Sequence, residues 1–178
     1  MTEMNNGRVL LDHHGSVAVL TLNDPSVFNA FGVKLRQDIT QALDLVDASP
    51  ARCLVITGAG RAFCSGANLN DKDRGPRDRQ AEARGEVKTD LELWYHPTFQ
   101  RLRHSEIPIV TAINGIAAGA GMSLALSGDI KMAARSASFL QAFARIGLVP
   151  DCGSSYILPR LIGQARAVEM SLLAERLD

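Results

Sequence analysis

Cysteine is scarce here, and what there is cannot build a framework. Cys53, Cys64 and Cys152 are odd in number, far apart and without a CxxC spacing. A disulfide scaffold is therefore not expected, and reduced thiols in a cytoplasmic setting are. An excess of charge of either sign is also absent, since 19 Lys and Arg balance 19 Asp and Glu. That balance argues against nucleic acid or a membrane surface as a partner. The N-terminal MTEMNNGRVL has no apolar core of the kind a secretory leader carries, and no apolar run is long enough to span a bilayer. What is present is ordinary: 178 residues, 46% of them apolar and 21% charged. The expectation is one soluble domain, residues 1–178, with a real core.

Periodicity assigns the elements. Arg8 to His14 and Val17 to Leu22 read as a hairpin about Gly15-Ser16, buried on both faces. His13 and His14 are adjacent, so they point to opposite faces and cannot serve one metal site. After the turn residues Asn23 to Ser26, Leu35, Ile39, Leu43 and Val46 recur at helical steps, with Lys34, Arg36, Gln37, Asp38 and Asp44 between them. Ser49-Pro50 ends that helix. Cys53 to Thr57 is an apolar run suited to a parallel strand covered on both sides. Gly58 to Ala67 reads as a long small-residue connection. Asn70 to Arg84 is dense in both charges and lacks large apolar residues, so a mobile surface loop is expected. A helix resumes over Val87 to His104, with Pro97 at a kink or a start. Strands are expected at Ile107 to Ile113, Ile130 to Ala134 and Ala137 to Leu140. Helices follow near Ser154 to Leu161 and from Gln164 to Leu177, divided by Gly163. Strand-strand-helix units recur without a linker, which makes the fold class α/β.

Several familiar site motifs fail on their own terms. Gly58-Ala59-Gly60 and Gly119-Ala120-Gly121 each follow a strand, but Phe63 and Leu124 stand where a dinucleotide loop has its third glycine. No lysine follows at P-loop spacing. Gly121-Met122-Ser123-Leu124-Ala125 approximates a nucleophile elbow, yet every histidine precedes Ser123, contrary to the hydrolase order. Cys64 and Cys152 have no histidine nearby in sequence, so an inert thiol is the better reading. The stretch Thr111 to Asp129 (TAINGIAAGAGMSLALSGD) is more informative. It leaves a strand through small residues and enters a helix, exposing unpaired backbone N–H groups at the positive end of a helix dipole. Such a place suits an oxygen that becomes negative, as half of an oxyanion hole.

Three segments together resemble the crotonase, or enoyl-CoA hydratase/isomerase, superfamily. They are Leu22-Asn23-Asp24-Pro25-Ser26-Val27-Phe28-Asn29-Ala30, Ala62-Phe63-Cys64-Ser65-Gly66-Ala67-Asn68-Leu69, and Ile113-Asn114-Gly115-Ile116-Ala117-Ala118-Gly119-Ala120-Gly121. The resemblance runs from about Val9 to the C-terminus. It implies a crotonase-like spiral of strand-strand-helix units and a coenzyme A thioester as substrate. No metal or separate cofactor is implied, because coenzyme A arrives as part of the substrate. The thioester oxygen would be held by the backbone N–H groups of Ala67 and Ala120. Val27, Phe28, Ala30, Gly66, Asn68, Leu69, Gly119, Gly121, Ser123 and Phe143 match substrate-lining positions. Where Val27 stands the family often has a basic residue.

The departures from the family pattern narrow the chemistry. Ser123 and Phe143 occupy the positions of the two glutamates with which a hydratase of the family places water. Phe143 to Gly153 resembles the branch containing 1,2-epoxyphenylacetyl-CoA isomerase, from phenylacetate degradation, which keeps an aspartate after the proline. Asp151 stands there. Local sequence favours it as a helix N-cap; the resemblance implies an acid/base, and the two are compatible. The expected activity is therefore acyl-CoA isomerisation by double-bond shift, or ring-epoxide opening to an oxepin. Hydration or another thioester reaction, and non-catalytic acyl-CoA binding, are the alternatives. The family's C-terminal helices, which cover the site and build homotrimers often paired as hexamers, are expected to be missing from these residues.

Overall fold

The hairpin about Gly15-Ser16 forms, and it begins the larger of two sheets in the computed structural model, which describes residues 1–178. β1 (Thr2–Glu3), β2 (Val9–His14) and β3 (Val17–Leu22) are antiparallel neighbours. Strand alternation buries Ala18, Leu20 and Leu22 and leaves Val17, Val19 and Thr21 half-buried. The hairpin is thus sealed on one face rather than both, and His13 and His14 are exposed at its end.

α1 (Val33–Asp47) buries Leu35, Ile39, Leu43 and Val46 as its periodicity predicts. Each such side chain contributes about 1.5–3 kcal/mol of burial. The helix is not amphipathic throughout, however, because Arg36 and Asp38 are buried as well. Asp38 is satisfied: its carboxylate accepts from Asn6 N, Arg8 N and Asn6 Nδ2.

β4 (Cys53–Gly58) runs parallel to β3. β5 (Ala62–Cys64) then interrupts the connection expected over Gly58 to Ala67. It is three residues long, too short for a periodic signal. There follow α2 (Arg79–Ala83), a π-helical turn at Leu91–Tyr95 and α3 (His96–Arg103). Next come β6 (Ile109–Ile113), β7 (Ile116–Ala118), α4 (Ala120–Ser127), β8 (Ile130–Ala133) and β9 (Ser138–Leu140). A 3-10 turn at Ala142–Ile146, α5 (Ser154–Ile162), α6 (Gln164–Leu173) and β10 (Arg176–Leu177) complete the chain.

The larger sheet has the order β1-β2-β3-β4-β6-β8 and the smaller β10-β9-β7-β5. The missed strands β5 and β7 explain this division. After β4 and β6 the chain crosses to the second sheet as β5 and β7, and helical segments carry it back; after β8 and β9, α5 and α6 lead instead to β10, which rejoins the smaller sheet beside β9. The fold is a mixed α/β spiral of strand-strand-helix units around one apolar cluster that includes Leu20, Phe63, Ile109, Met122 and Leu124. No helix is long and apolar enough to cross a membrane.

Two expectations need correction. The helix expected to reach Leu177 ends at Leu173, where Ala174 turns left-handed (φ 49°) and is buried. Arg145 Nε and Nη2 donate to the Ala174 carbonyl, and Arg176 and Leu177 pair with Leu140 and Phe139. Asn70 to Arg84 likewise is not a featureless loop. Asp71 Oδ2 accepts the otherwise unpaired Val33 N–H at 2.6 Å, placing a carboxylate at the positive end of α1. Lys34 pairs with Asp73 at 3.0 Å, Arg74 with Asp90 at 2.7 Å, and Asp78 caps α2. A segment too polar to own a core is folded against one by charge.

Candidate active site

Two backbone segments from different units of the spiral meet at one wall of a cavity of about 490 Å³. The first is Gly66-Ala67. Phe31 bridges it in parallel fashion: Phe31 N donates to Gly66 O at 2.7 Å, and Asn68 N donates to Phe31 O at 3.2 Å. Ala67, between these bonds, donates its N–H to no acceptor in the chain. The second segment is Gly119-Ala120 at the start of α4. As first residue of the helix, Ala120 has an N–H outside the intrahelical ladder, at the positive end of the dipole.

Glycine makes the meeting possible. Gly66 has φ 95°, and a Cβ there would lie 2.7 Å from the Ala118 carbonyl oxygen and 3.6 Å from Ala120 N. Gly119 (φ 51°, ψ −126°) turns the chain from β7 into α4 through a conformation reserved for glycine. Gly66, Ala67, Gly119 and Ala120 all line the cavity. α4 is buried on every side from Ala120 to Leu126, so the helix that carries this N-terminus is fixed in the core.

Asp151 reaches the same cavity. Its backbone carbonyl, not its carboxylate, serves the start of α5, accepting from Ser154 N and Ser154 Oγ at 3.0 Å each. Gly153 is the N-cap residue, and α5 receives no side-chain cap. The local expectation of a capping carboxylate is therefore not met. Instead Asp151 Oδ1 is buried with no hydrogen-bond partner. Burial holds the carboxyl above the usual carboxylate range, against opposing contributions from the Cys152 thiol and the charge of His96. The next residue, Cys152, has φ 52°, and strain of that kind in a non-glycine residue is maintained only by surrounding packing. The thiols themselves are quiet: burial pushes Cys64 up to about 12 and Cys152 higher still.

Of the other residues singled out by sequence, Asn68, Leu69 and Phe143 line the cavity. Val27 and Phe28 lie outside it, partly exposed, with the Arg61 guanidinium 4.6 Å from the Phe28 ring centroid. Ala30 and Gly121 are buried away from the wall. Ser123 is buried and its hydroxyl donates to Asp151 O at 3.3 Å. It ties the start of α4 to the loop that presents Asp151.

Sequence reasoning missed another part of the cavity lining, which includes Arg36, Arg74, Asp90 and Tyr95. Arg36 looked like one more solvent-facing charge on α1. For Tyr95 a signal existed in Pro97. A proline ring opposes the carbonyl four residues back, and here the preceding turn is widened to a π-helix ending at Tyr95.

A family profile described as enoyl-CoA hydratase/isomerase matches residues 12–178. The chain belongs to that family. It is 43% identical over 163 residues to the 1,2-epoxyphenylacetyl-CoA isomerase of Escherichia coli K12, covering 91% of this chain and 61% of that protein. It is 44% identical over 162 residues to a Rhodobacter capsulatus protein named "Probable enoyl-CoA hydratase", covering 90% and 59%. Crystal structures of enoyl-CoA hydratase from Bacillus anthracis (TM-score 0.82, 29% identity, 96% of this chain and 64% of that one) and of enoyl-CoA hydratase/isomerase from Cupriavidus metallidurans (0.81, 32%, 100% and 64%) share its fold. This family member spans about three fifths of the length of the curated relatives it matches.

Proposed function

We propose that the chain carries the catalytic core of an acyl-CoA isomerase, with Ala67 and Ala120 as an oxyanion hole and Asp151 as the single acid/base. The observation that carries this reading is the Asp151 carboxyl. It lines the cavity beside both backbone donors and has an unpartnered buried oxygen. The other cavity carboxylates are engaged: Asp71 with Val33 N, Asp90 with Arg74.

In the proposed reaction the thioester oxygen accepts from Ala67 N–H and Ala120 N–H. Ionised Asp151 removes a proton from the carbon beside the thioester of a 3,4-enoyl-CoA. The electron pair delocalises onto the held oxygen as an enolate, and Asp151 returns the proton two carbons further on. The double bond then lies at the 2,3 position, with no atom gained or lost. Each backbone donor in such a hole contributes about 3–4 kcal/mol at the transition state, and a positioned acid/base about 10²–10⁴-fold in rate. A carboxylate whose pKa is held above its usual range is the stronger base on the abstraction step. Opening of a ring epoxide to an oxepin is also an isomerisation, and the likeness to the Escherichia coli protein makes 1,2-epoxyphenylacetyl-CoA a substrate to test. Coenzyme A enters as part of the substrate. A homotrimer, or a pair of them, is the assembly this reading expects, and sedimentation would test it.

Hydration is the second reading, favoured by the comparable likeness to the Rhodobacter capsulatus protein. Phe143 on the wall and buried Ser123 supply no ionisable partner for water there. Asp151→Asn assayed on 2,3- and 3,4-enoyl-CoA and on the ring epoxide tests the assignment, and undiminished turnover overturns it. Labelled water oxygen in the product would select hydration. Acyl-CoA binding without turnover of any candidate would select a binding protein.

A further inference from the structure

The Arg36 side chain is 6% exposed and lines the cavity wall formed by α1 and the π-helical turn. Its guanidinium donates no side-chain hydrogen bond of normal length: the nearest carboxylate oxygen, of Asp90, is 3.7 Å away. That carboxylate is bound closely, at 2.7 Å, by Arg74. Arg36 Nε is wholly buried without a partner. Two cations thus share one anion, and although Arg74 Nε is also buried without a partner, Arg74 holds the close ion pair and Arg36 is left the more weakly paired of the two. The faces of Trp94 and Tyr95, with centroids 5.5 and 5.4 Å from Arg36 Cζ, soften its desolvation but accept no hydrogen bond in the guanidinium plane.

Burying a charge without hydrogen bonds is unfavourable unless something completes its shell. Arg36 lines the cavity, where a guanidinium fork matches a planar carboxylate in charge and geometry. We infer that Arg36 selects acyl-CoA substrates whose acyl chain ends in a carboxylate. This rests on the acyl-CoA reading and adds the identity of the far end of the acyl group. A methyl-terminated chain would leave the guanidinium unpaired, which costs affinity relative to a carboxylate.

Isothermal titration of the purified protein with saturated thioesters reads this without turnover, because the chains carry no double bond. Glutaryl-, adipoyl- and pimeloyl-CoA are each compared with the methyl-terminated thioester of equal carbon number. At least one carboxylated member is expected to bind about tenfold or more tighter than its counterpart, a preference of the size charge-assisted hydrogen bonds give. Arg36→Met should collapse that ratio to about one, and Arg36→Lys, which keeps the charge without the fork, should restore part of it. Equal affinities across every pair, or a ratio that survives Arg36→Met, overturn the inference while leaving the acyl-CoA reading intact. So does an equal loss for both members of a pair, the signature of a merely structural arginine. Failure of free coenzyme A and every thioester to bind overturns both.

Discussion

The two walls of the cavity are built on opposite principles. The floor, Gly66-Ala67 against Gly119-Ala120, is backbone and small side chains locked between buried strands and the apolar helix α4. The roof, from Asp71 to Asp90, is a polar segment fastened by a helix-terminus carboxylate and ion pairs. A floor of this kind holds positions to a fraction of an ångström because its neighbours are close-packed. A roof of this kind is held by interactions that water and salt can replace.

The sharpest challenge to the comparison is Asp151, which borders the floor. Asp151→Asn is expected to lower turnover by about 10²–10⁴-fold yet to raise the thermal midpoint at neutral pH. The wild-type carboxyl binds its proton more tightly folded than unfolded. Between the ordinary carboxylate range and its raised value, the folded protein therefore holds the extra proton, and stability falls as pH rises through that window. The advantage of the variant should be full above the window and vanish below it, as melting curves across pH would reveal. An asparagine variant less stable than wild type at every pH would mean that the carboxylate is structural.

In the packing directly behind the floor, Gly121→Ala should cost about 3 kcal/mol in denaturant titration, because a Cβ there runs into the Cys64 carbonyl. In the roof, Asp71→Ala removes the acceptor of Val33 N–H and should cost about 1–2 kcal/mol, the range of a lost helix cap. Smallest of all, Lys34→Ala breaks a half-exposed pair with Asp73 and should change stability by about 0.5 kcal/mol or less, fading with added salt. A roof substitution as damaging as Gly121→Ala would erase the distinction between the walls.

How legible each wall was follows from the same contrast. The floor left strong marks, since Gly66 and Gly119 stand where a side chain would collide or the backbone turns left-handed. Small residues between a strand and an apolar helix are a local pattern, readable in order along the chain. The roof left almost none, Pro97 after the π-helical turn being the exception. Arg36 has helical spacing and polar neighbours like any surface residue, and only the arrival of Asp90, Trp94 and Tyr95 from over fifty residues away buries it. β5 and β7 escaped for a related reason: three residues show no period, and each is a strand by virtue of its neighbours.

By itself, then, the sequence determined most of the main strands and helices and the small-residue entry to α4, which rest on local periodicity and steric demand. The spiral, the pairing of Ala67 with Ala120 and the acid/base role expected of Asp151 came from the family resemblance. Only the tertiary structure decided that Asp151 leaves capping to its own carbonyl and lines the cavity with a carboxyl that has one unpartnered oxygen. Only it buried Arg36 in the lining of the same cavity. Burial and charge pairing are properties of distant segments brought together, and no single stretch of chain contains them.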